Sequence, residues 1–392
     1  MKITSLKAVP ITYAEKAGKP LKYMYEQPMN LVYVRVESDE GLVGYGEICD
    51  SYGCNYGRSM QAVVEEALGP LILGQTPDNI ELLAAKMRGW TRRRLGDQWM
   101  IIQAISGVEI ALWDLKGKAE GRSISKMLGR FQDAIRVYAS GTFLEEGSPE
   151  THLELFRPCL EQGVTAVKSR IGFDYKRDLK TLAGIRKLLG DDIQIMIDGS
   201  EHFSVLTALE IARGLRDLNV LFFEEPIPQC DLEGIERLVD KSPVPIAYGE
   251  HMFTVYDFQA CLSRRRADVV QPDAATCGGI LEGRSIAGLA RSSGAPVVLH
   301  SCAGPIALAA NVHLAASAAN VLMLEYALTV DRVWKDMLHD PILSPKAIRN
   351  GALPVPDGPG LGISIDEEMW GRHPFNPPAR TDKMPTWSLG HV

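Results

Sequence analysis

Two stretches near the start of the chain, KITSLKAVPITY (2–13) and NLVYVRVESDEGLVGYGE (30–47), alternate apolar and polar residues, the period of a strand with one buried face. Ser38-Asp39-Glu40-Gly41 interrupts the second with a turn. Residues 60–73, 79–90 and 104–121 carry apolar residues at helical spacing, which predicts helices that pack by one face. From about residue 133 the pattern changes. Short β-rich runs recur, each followed by a helical stretch: IRVYASGTF, AVKSRI, IQIMIDG, VLFFEEPI, PIAYGE, DVVQPDA, PVVLHS and VLMLEY. The polar residues closing the later runs fall at Lys168, Asp198, Glu224, Glu250, Asp273, His300 and Glu325, in steps of 30, 26, 26, 23, 27 and 25. A steady strand–helix repeat of this length predicts an α/β fold with a (β/α)₈ barrel of the TIM type. The other doubly wound option, an open parallel sheet, would show a glycine-rich phosphate turn, and neither G-x-G-x-x-G nor a P-loop occurs. Beyond residue 330 the repeat stops in a Pro- and Gly-rich tail. The expected domains are an α+β cap over 1–130, the barrel over 131–330, and a segment over 331–392 that returns to the cap.

Composition narrows the function classes. The 392 residues hold 42 Lys+Arg and 49 Asp+Glu, a formal charge of −7, which argues against a nucleic-acid binder. The 46% apolar and 23% charged fractions are those of a folded globular protein. Seven cysteines without a C-x-x-C imply neither a disulfide framework nor a zinc knuckle, and read as reduced, mostly buried thiols. The first residues lack the apolar stretch of a signal peptide, and no run is long enough to span a membrane. A cytoplasmic protein with no membrane or nucleic-acid partner is expected, with a homo-oligomer as its assembly.

In such a barrel the chemistry sits at the C-terminal ends of the strands. Ionisable residues at nearly every strand end are costly to desolvate and have no purpose in a purely structural barrel. Asp198, Glu224 and Glu250 close three consecutive strands. Three carboxylates converging there need a cation, and oxygen-only ligation selects Mg²⁺, with Mn²⁺ the alternative. Lys168 and Arg170, two apart, share one strand face and suit an anionic ligand. Asp273 and His300 end neighbouring strands, so the carboxylate can orient the imidazole and raise its basicity. Glu325 closes the last strand. Glu225 is expected to point away from Glu224, as a support residue.

This set resembles the enolase superfamily in its mandelate racemase-like branch. The resemblance spans nearly the whole chain. It rests on SGVEIALWDLKGKAEGRSISKMLG (106–129), Lys168-x-Arg170, MIDGS with Asp198, FFEEP with Glu224, GE with Glu250, QPDAATCGGI with Asp273, LHS with His300, LEY with Glu325, and PGLG at 359–362. It implies one Mg²⁺ on Asp198, Glu224 and Glu250, and abstraction of the proton α to a substrate carboxylate. Lys168 would stabilise the developing charge, and Glu325 would donate a hydrogen bond to the carboxylate.

Two positions depart from the family pattern. The racemases carry Lys-x-Lys, whose second lysine is a base. Here that position is Arg170, which does not deprotonate near neutral pH. The residue two past the first ligand, commonly Asn, is Ser200. One convincing base, the His300–Asp273 dyad, suits elimination better than racemisation. The expected reaction is therefore dehydration of an aldonate-type acid sugar to a 2-keto-3-deoxy acid, by a metal-dependent hydro-lyase. An epimerase or racemase, or a sugar-lactone cycloisomerase, is the alternative on this scaffold, and a non-catalytic protein is the alternative of another class. Arg170, Ser200, His202, His251, Tyr23 and Tyr52 are the candidate substrate contacts. The two tyrosines come from polar loops at 18–28 and 49–57 suited to hydroxyl groups.

Overall fold

The computed structural model describes residues 1–14, 28–49, 56–172, 174–328, 333, 337–339 and 342–377. The alternating N-terminal stretches form an antiparallel sheet of β1 (Ile3–Tyr13), β2 (Met29–Ser38) and β3 (Val43–Ile48). The helix Met100–Glu120 lies against it. Gly44 and Gly46 make this approach feasible: a Cβ at Gly46 would fall 1.9 Å from the carbonyl oxygen of Gly107. Between Ile101 and Leu115 every residue of this helix is buried, because the sheet covers one side and the barrel another.

The barrel strands are β4 (Ala134–Phe143), β5 (Ala166–Arg170), β6 (Gln194–Asp198), β7 (Val220–Glu224), β8 (Ile246–Tyr248), β9 (Val269–Val270), β10 (Val297–Leu299) and β11 (Val321–Ala327). They pair in chain order in parallel, and β11 closes on β4. One residue from each strand builds a separate apolar cluster: Tyr138, Ala166, Met196, Phe222, Ala247, Val269, Val298 and Met323. Inward positions recur every second residue along a strand. Two residues further on stand Ser140, Lys168, Asp198, Glu224, Gln271, His300 and Glu325, all buried. The apolar layer thus forms a floor for a polar layer nearer the C-terminal mouth. The repeat predicts that each of the polar residues closes its strand, and not all of them do. Lys168 and Glu325 lie inside β5 and β11, while Glu250 and Asp273 lie two and three residues past β8 and β9.

Buried acids of the cap seat it on this mouth. Glu47 accepts from the N–H groups of Gly304 (2.6 Å) and Ala307 (2.9 Å), at the start of the helix Pro305–Ala316. Glu109 accepts from Ile280 (2.8 Å) and Leu281 (3.0 Å), at the start of the helix Ile280–Ser292. Both use the donor-rich end of a helix, where a carboxylate is favoured. The tail first adds β12 (Ala352–Pro354) to the barrel strand β4 and then meets the cap: Leu361 N–H donates to Asp114 (2.8 Å), and Glu367 takes Arg35 (2.9 Å) and Tyr45 (2.6 Å). No helix among the described residues is long and apolar enough to cross a membrane.

Candidate functional site

The strands β5 to β7 bring Lys168, Arg170, Asp198 and Glu224 together. Lys168 Nζ lies 2.5 Å from Glu224 Oε1 and 3.2 Å from Glu325 Oε1. Burial opposes its charge, but these two carboxylates outweigh it and hold the ammonium well above its ordinary pKa. Arg170 Nε donates to Asp198 Oδ2 at 2.7 Å. The other oxygen of Asp198 accepts from Ser200, through its N–H (2.7 Å) and its hydroxyl (3.1 Å). The turn that allows this is left-handed, with φ of 47° at Ser200 and 60° at Glu201. Burial pushes the Asp198 carboxyl up, yet the charges of Arg170 and Lys168 prevail and hold it below its ordinary value.

Past β8, Glu250 approaches His300: its Oε2 lies 3.2 Å from Nε2. His251, a candidate substrate contact in the sequence, is buried. Its Nδ1 lies 3.0 Å from Glu225 Oε2 and its Nε2 3.6 Å from Glu250 Oε1. Glu225 is therefore a support residue, but one tied to the site through His251. The rings of Trp99 and His251 lie 5.3 Å apart. Among the described residues, Glu201, Glu225 and His251 have donor atoms all within 4.8 Å of one another. A proton suits that trio: burial works against the imidazolium, but Glu225, Glu250 and Glu201 raise its pKa to about 10. His202 is half-buried; burial lowers its pKa, the charge of Asp198 opposes this, and Arg170 adds to it.

On the opposite strands His300 Nδ1 meets Asp273 Oδ2 at 2.9 Å. Asp273 Oδ1 accepts from Ala275 N–H (2.7 Å) and from the Asn311 amide (2.8 Å). Because Asp273 only accepts, Nδ1 carries the hydrogen and Nε2 is left for chemistry. Nε2 stands 3.8 Å from Glu325 Oε2. Burial opposes the imidazolium, and Glu250 with Asp273 more than compensates, lifting His300 well above its ordinary pKa. Two participants were not singled out in the sequence. Gln271 donates to Glu224 Oε2 at 2.6 Å, and Asn311 holds Asp273. Their signals were present: Gln271 lies two residues past Val269, and Asn311 and His313 are the two polar side chains of an otherwise apolar helix.

The donor set fits a divalent cation. Asp198, Glu224, Glu250, Asp273 and Glu325 face Lys168, Arg170 and His300, two more acids than cations even with the imidazole protonated. Glu250 Oε2 is buried and makes no hydrogen bond among the described residues. Burial raises the Glu224 pKa to about 8 despite Lys168, with Asp198, Glu325 and Glu250 adding to the rise, so this pocket is short of positive charge. Hard oxygen donors in this number suit Mg²⁺ or Mn²⁺. Tyr23 and Tyr52 lie outside the described residues.

Comparison with known proteins agrees with this architecture. The profile of the family described as Mandelate racemase / muconate lactonizing enzyme, N-terminal domain, matches residues 14–129, and that described as Enolase C-terminal domain-like matches residues 153–369. Arabinonate dehydratase of Saccharolobus solfataricus is 36% identical over 365 residues, covering 91% of this chain and 94% of that protein. D-galactarolactone cycloisomerase of Agrobacterium fabrum is 31% identical over 344 residues, covering 86% and 89%. The crystal structure of the 3,6-anhydro-D-galactonate cycloisomerase from Zobellia galactanivorans superposes with a TM-score of 0.84 at 28% identity, covering 96% of this chain and all of that one. Matched on both its cap and its barrel, the chain belongs to the mandelate racemase-like branch of the enolase superfamily.

Proposed function

We propose that the protein is a Mg²⁺-dependent dehydratase of an acid sugar of the aldonate type. The carrying observation is the asymmetry of the bases. His300, oriented by Asp273, is a proton carrier on one side of the mouth, while the other side presents Arg170 engaged with Asp198. An arginine in an ion pair supplies charge and does not take a proton. Asp198, Glu224 and Glu250 would hold the cation, which supplies positive charge against the second negative charge that develops on the substrate carboxylate.

The remaining steps belong to this chain. Lys168, already charged between Glu224 and Glu325, binds one carboxylate oxygen of the substrate. Glu325, close to both Lys168 and His300, is placed beside the other. In the neutral ring, whose Nδ1–H is held by Asp273, His300 Nε2 removes the C2 proton. The imidazolium then returns that proton to the departing 3-hydroxyl, which leaves as water, and the enol tautomerises to the 2-keto-3-deoxy acid.

The test is a screen of aldonates and aldarates with Mg²⁺, read as 2-keto-acid formation. Dehydration that survives His300→Asn would overturn the mechanism. Relatives named as cycloisomerases favour a second reading, so sugar lactones belong in the same screen. Lactone turnover without keto acid would replace dehydration with that reading.

A further inference from the structure

Every barrel strand contributes inward-facing residues at a period of two, and the β9 member of the polar layer is Gln271 rather than Asp273. Its Nε2 donates to Glu224 Oε2 at 2.6 Å, and Lys168 occupies Oε1. A carboxylate only accepts, so the amide nitrogen must face it. Gln271 is 1% exposed and its Oε1 makes no hydrogen bond among the described residues. The main chain of Gln271 is equally constrained. Its N–H donates to Tyr248 O at 3.0 Å, and its nitrogen packs so closely on Gly249 that a Cβ there would come within 2.6 Å. Glu250 follows Gly249 directly. One residue therefore touches Glu224 through its side chain and the approach to Glu250 through its backbone.

We infer that Gln271 is a positioning residue that sets the orientation of Glu224 for cation binding; this rests on the cation site proposed above. A carboxylate oxygen has two lone pairs. A neutral amide that takes one of them fixes the plane of the group and leaves the other for a metal ion. Lys168 cannot do this alone, since it grips only Oε1 and is shared with Glu325. Outer partners of metal ligands contribute roughly 10–100-fold to metal affinity.

The experiment is calorimetric titration of Mg²⁺ into the purified full chain without substrate, for wild type, Gln271→Leu and the volume-conserving Gln271→Met. Thermal melting of the metal-free proteins runs in parallel. The expected result is Mg²⁺ binding weakened roughly 10–100-fold in both variants. Their metal-free melting should remain cooperative, and with a turned-over acid sugar, kcat at fixed Mg²⁺ should fall while KM for the sugar changes little. Equal Mg²⁺ affinity in a folded variant and wild type overturns the inference. If wild type itself binds no Mg²⁺, the cation site is what fails. If Gln271→Leu does not fold, Gln271→Met decides by the same titration.

Discussion

Asn311 Nδ2 donates to Asp273 Oδ1 at 2.8 Å, while the N–H of Ala274, the residue after Asp273, donates to Asn311 Oδ1 at 2.9 Å. One amide thus clamps the acid and its loop, and through the acid orients His300. Replacing Asn311 by Leu leaves the buried Ala274 N–H without its partner and leaves Asp273 Oδ1 to the Ala275 N–H alone. Denaturant unfolding should show a loss of about 1–3 kcal/mol. Turnover should fall with little change in KM, because the clamp orients the base and does not touch substrate. A variant with unchanged turnover would show that Ala275 N–H alone suffices to hold Asp273.

His300→Asn should lower turnover of the identified substrate by at least ~10²–10⁴-fold, since one residue serves two proton transfers. Wild type turned over in D₂O should give product deuterated at C3, read by mass spectrometry or NMR. Product without deuterium would mean that C3 is not protonated from an exchangeable source.

Chelation should abolish activity, and Mg²⁺ or Mn²⁺ should restore it. Glu224→Gln should bind neither ion measurably in calorimetry yet melt cooperatively, because Glu224 lies in the polar layer above the apolar floor. Unchanged activity after chelation and dialysis would remove the cation from the proposal.

Arg170 is engaged with Asp198. Arg170→Lys would place a titratable amine on that face, and slow solvent exchange of the substrate α-proton should appear, detected by NMR in D₂O. Wild type that epimerises C2 faster than it dehydrates would sink the one-base reading.

His313 is fully buried in the helix Pro305–Ala316. It accepts from Ser125 N–H (3.3 Å) and meets Leu361 O (3.0 Å), so its neutral form is the fitting one. Burial above all lowers its pKa from 6.5 to about 4. The unfolded chain takes up this proton below about pH 6.5 and the folded chain only near pH 4, so stability falls as pH drops through that window. The full effect is about 3 kcal/mol. Glu47 and Glu109, whose pKa values burial raises to about 7, act in the opposite direction. The comparison that isolates His313 is therefore wild type against His313→Gln, by denaturant unfolding at pH 7.5 and 4.5. The variant should lose less between the two; an equal loss would refute the assignment.

Strand periodicity and the strand–helix repeat were enough to determine the barrel, the cap, and the strands that carry or immediately precede Lys168, Asp198, Glu224, Glu250, Asp273, His300 and Glu325. That information is local: a period of two, a turn, a helix, and charges placed where a core would not hold them. Depth and partnership are not local. The position of Glu250, three residues beyond Ala247, follows from the close packing of Gly249 on Gln271. The burial of His251 depends on Glu225 and Trp99, which come from another strand and from the cap. In SGVEIALWDLKGK, a quoted resemblance motif, Ser106, Glu109 and Asp114 bind backbone N–H groups of the barrel, the sheet and the tail. Residues far apart in the chain become hydrogen-bond partners only once the barrel closes and the cap docks. Tertiary structure alone therefore decided which amide holds which acid, because a hydrogen bond forms only when separate elements are placed to within a fraction of an ångström of its proper length.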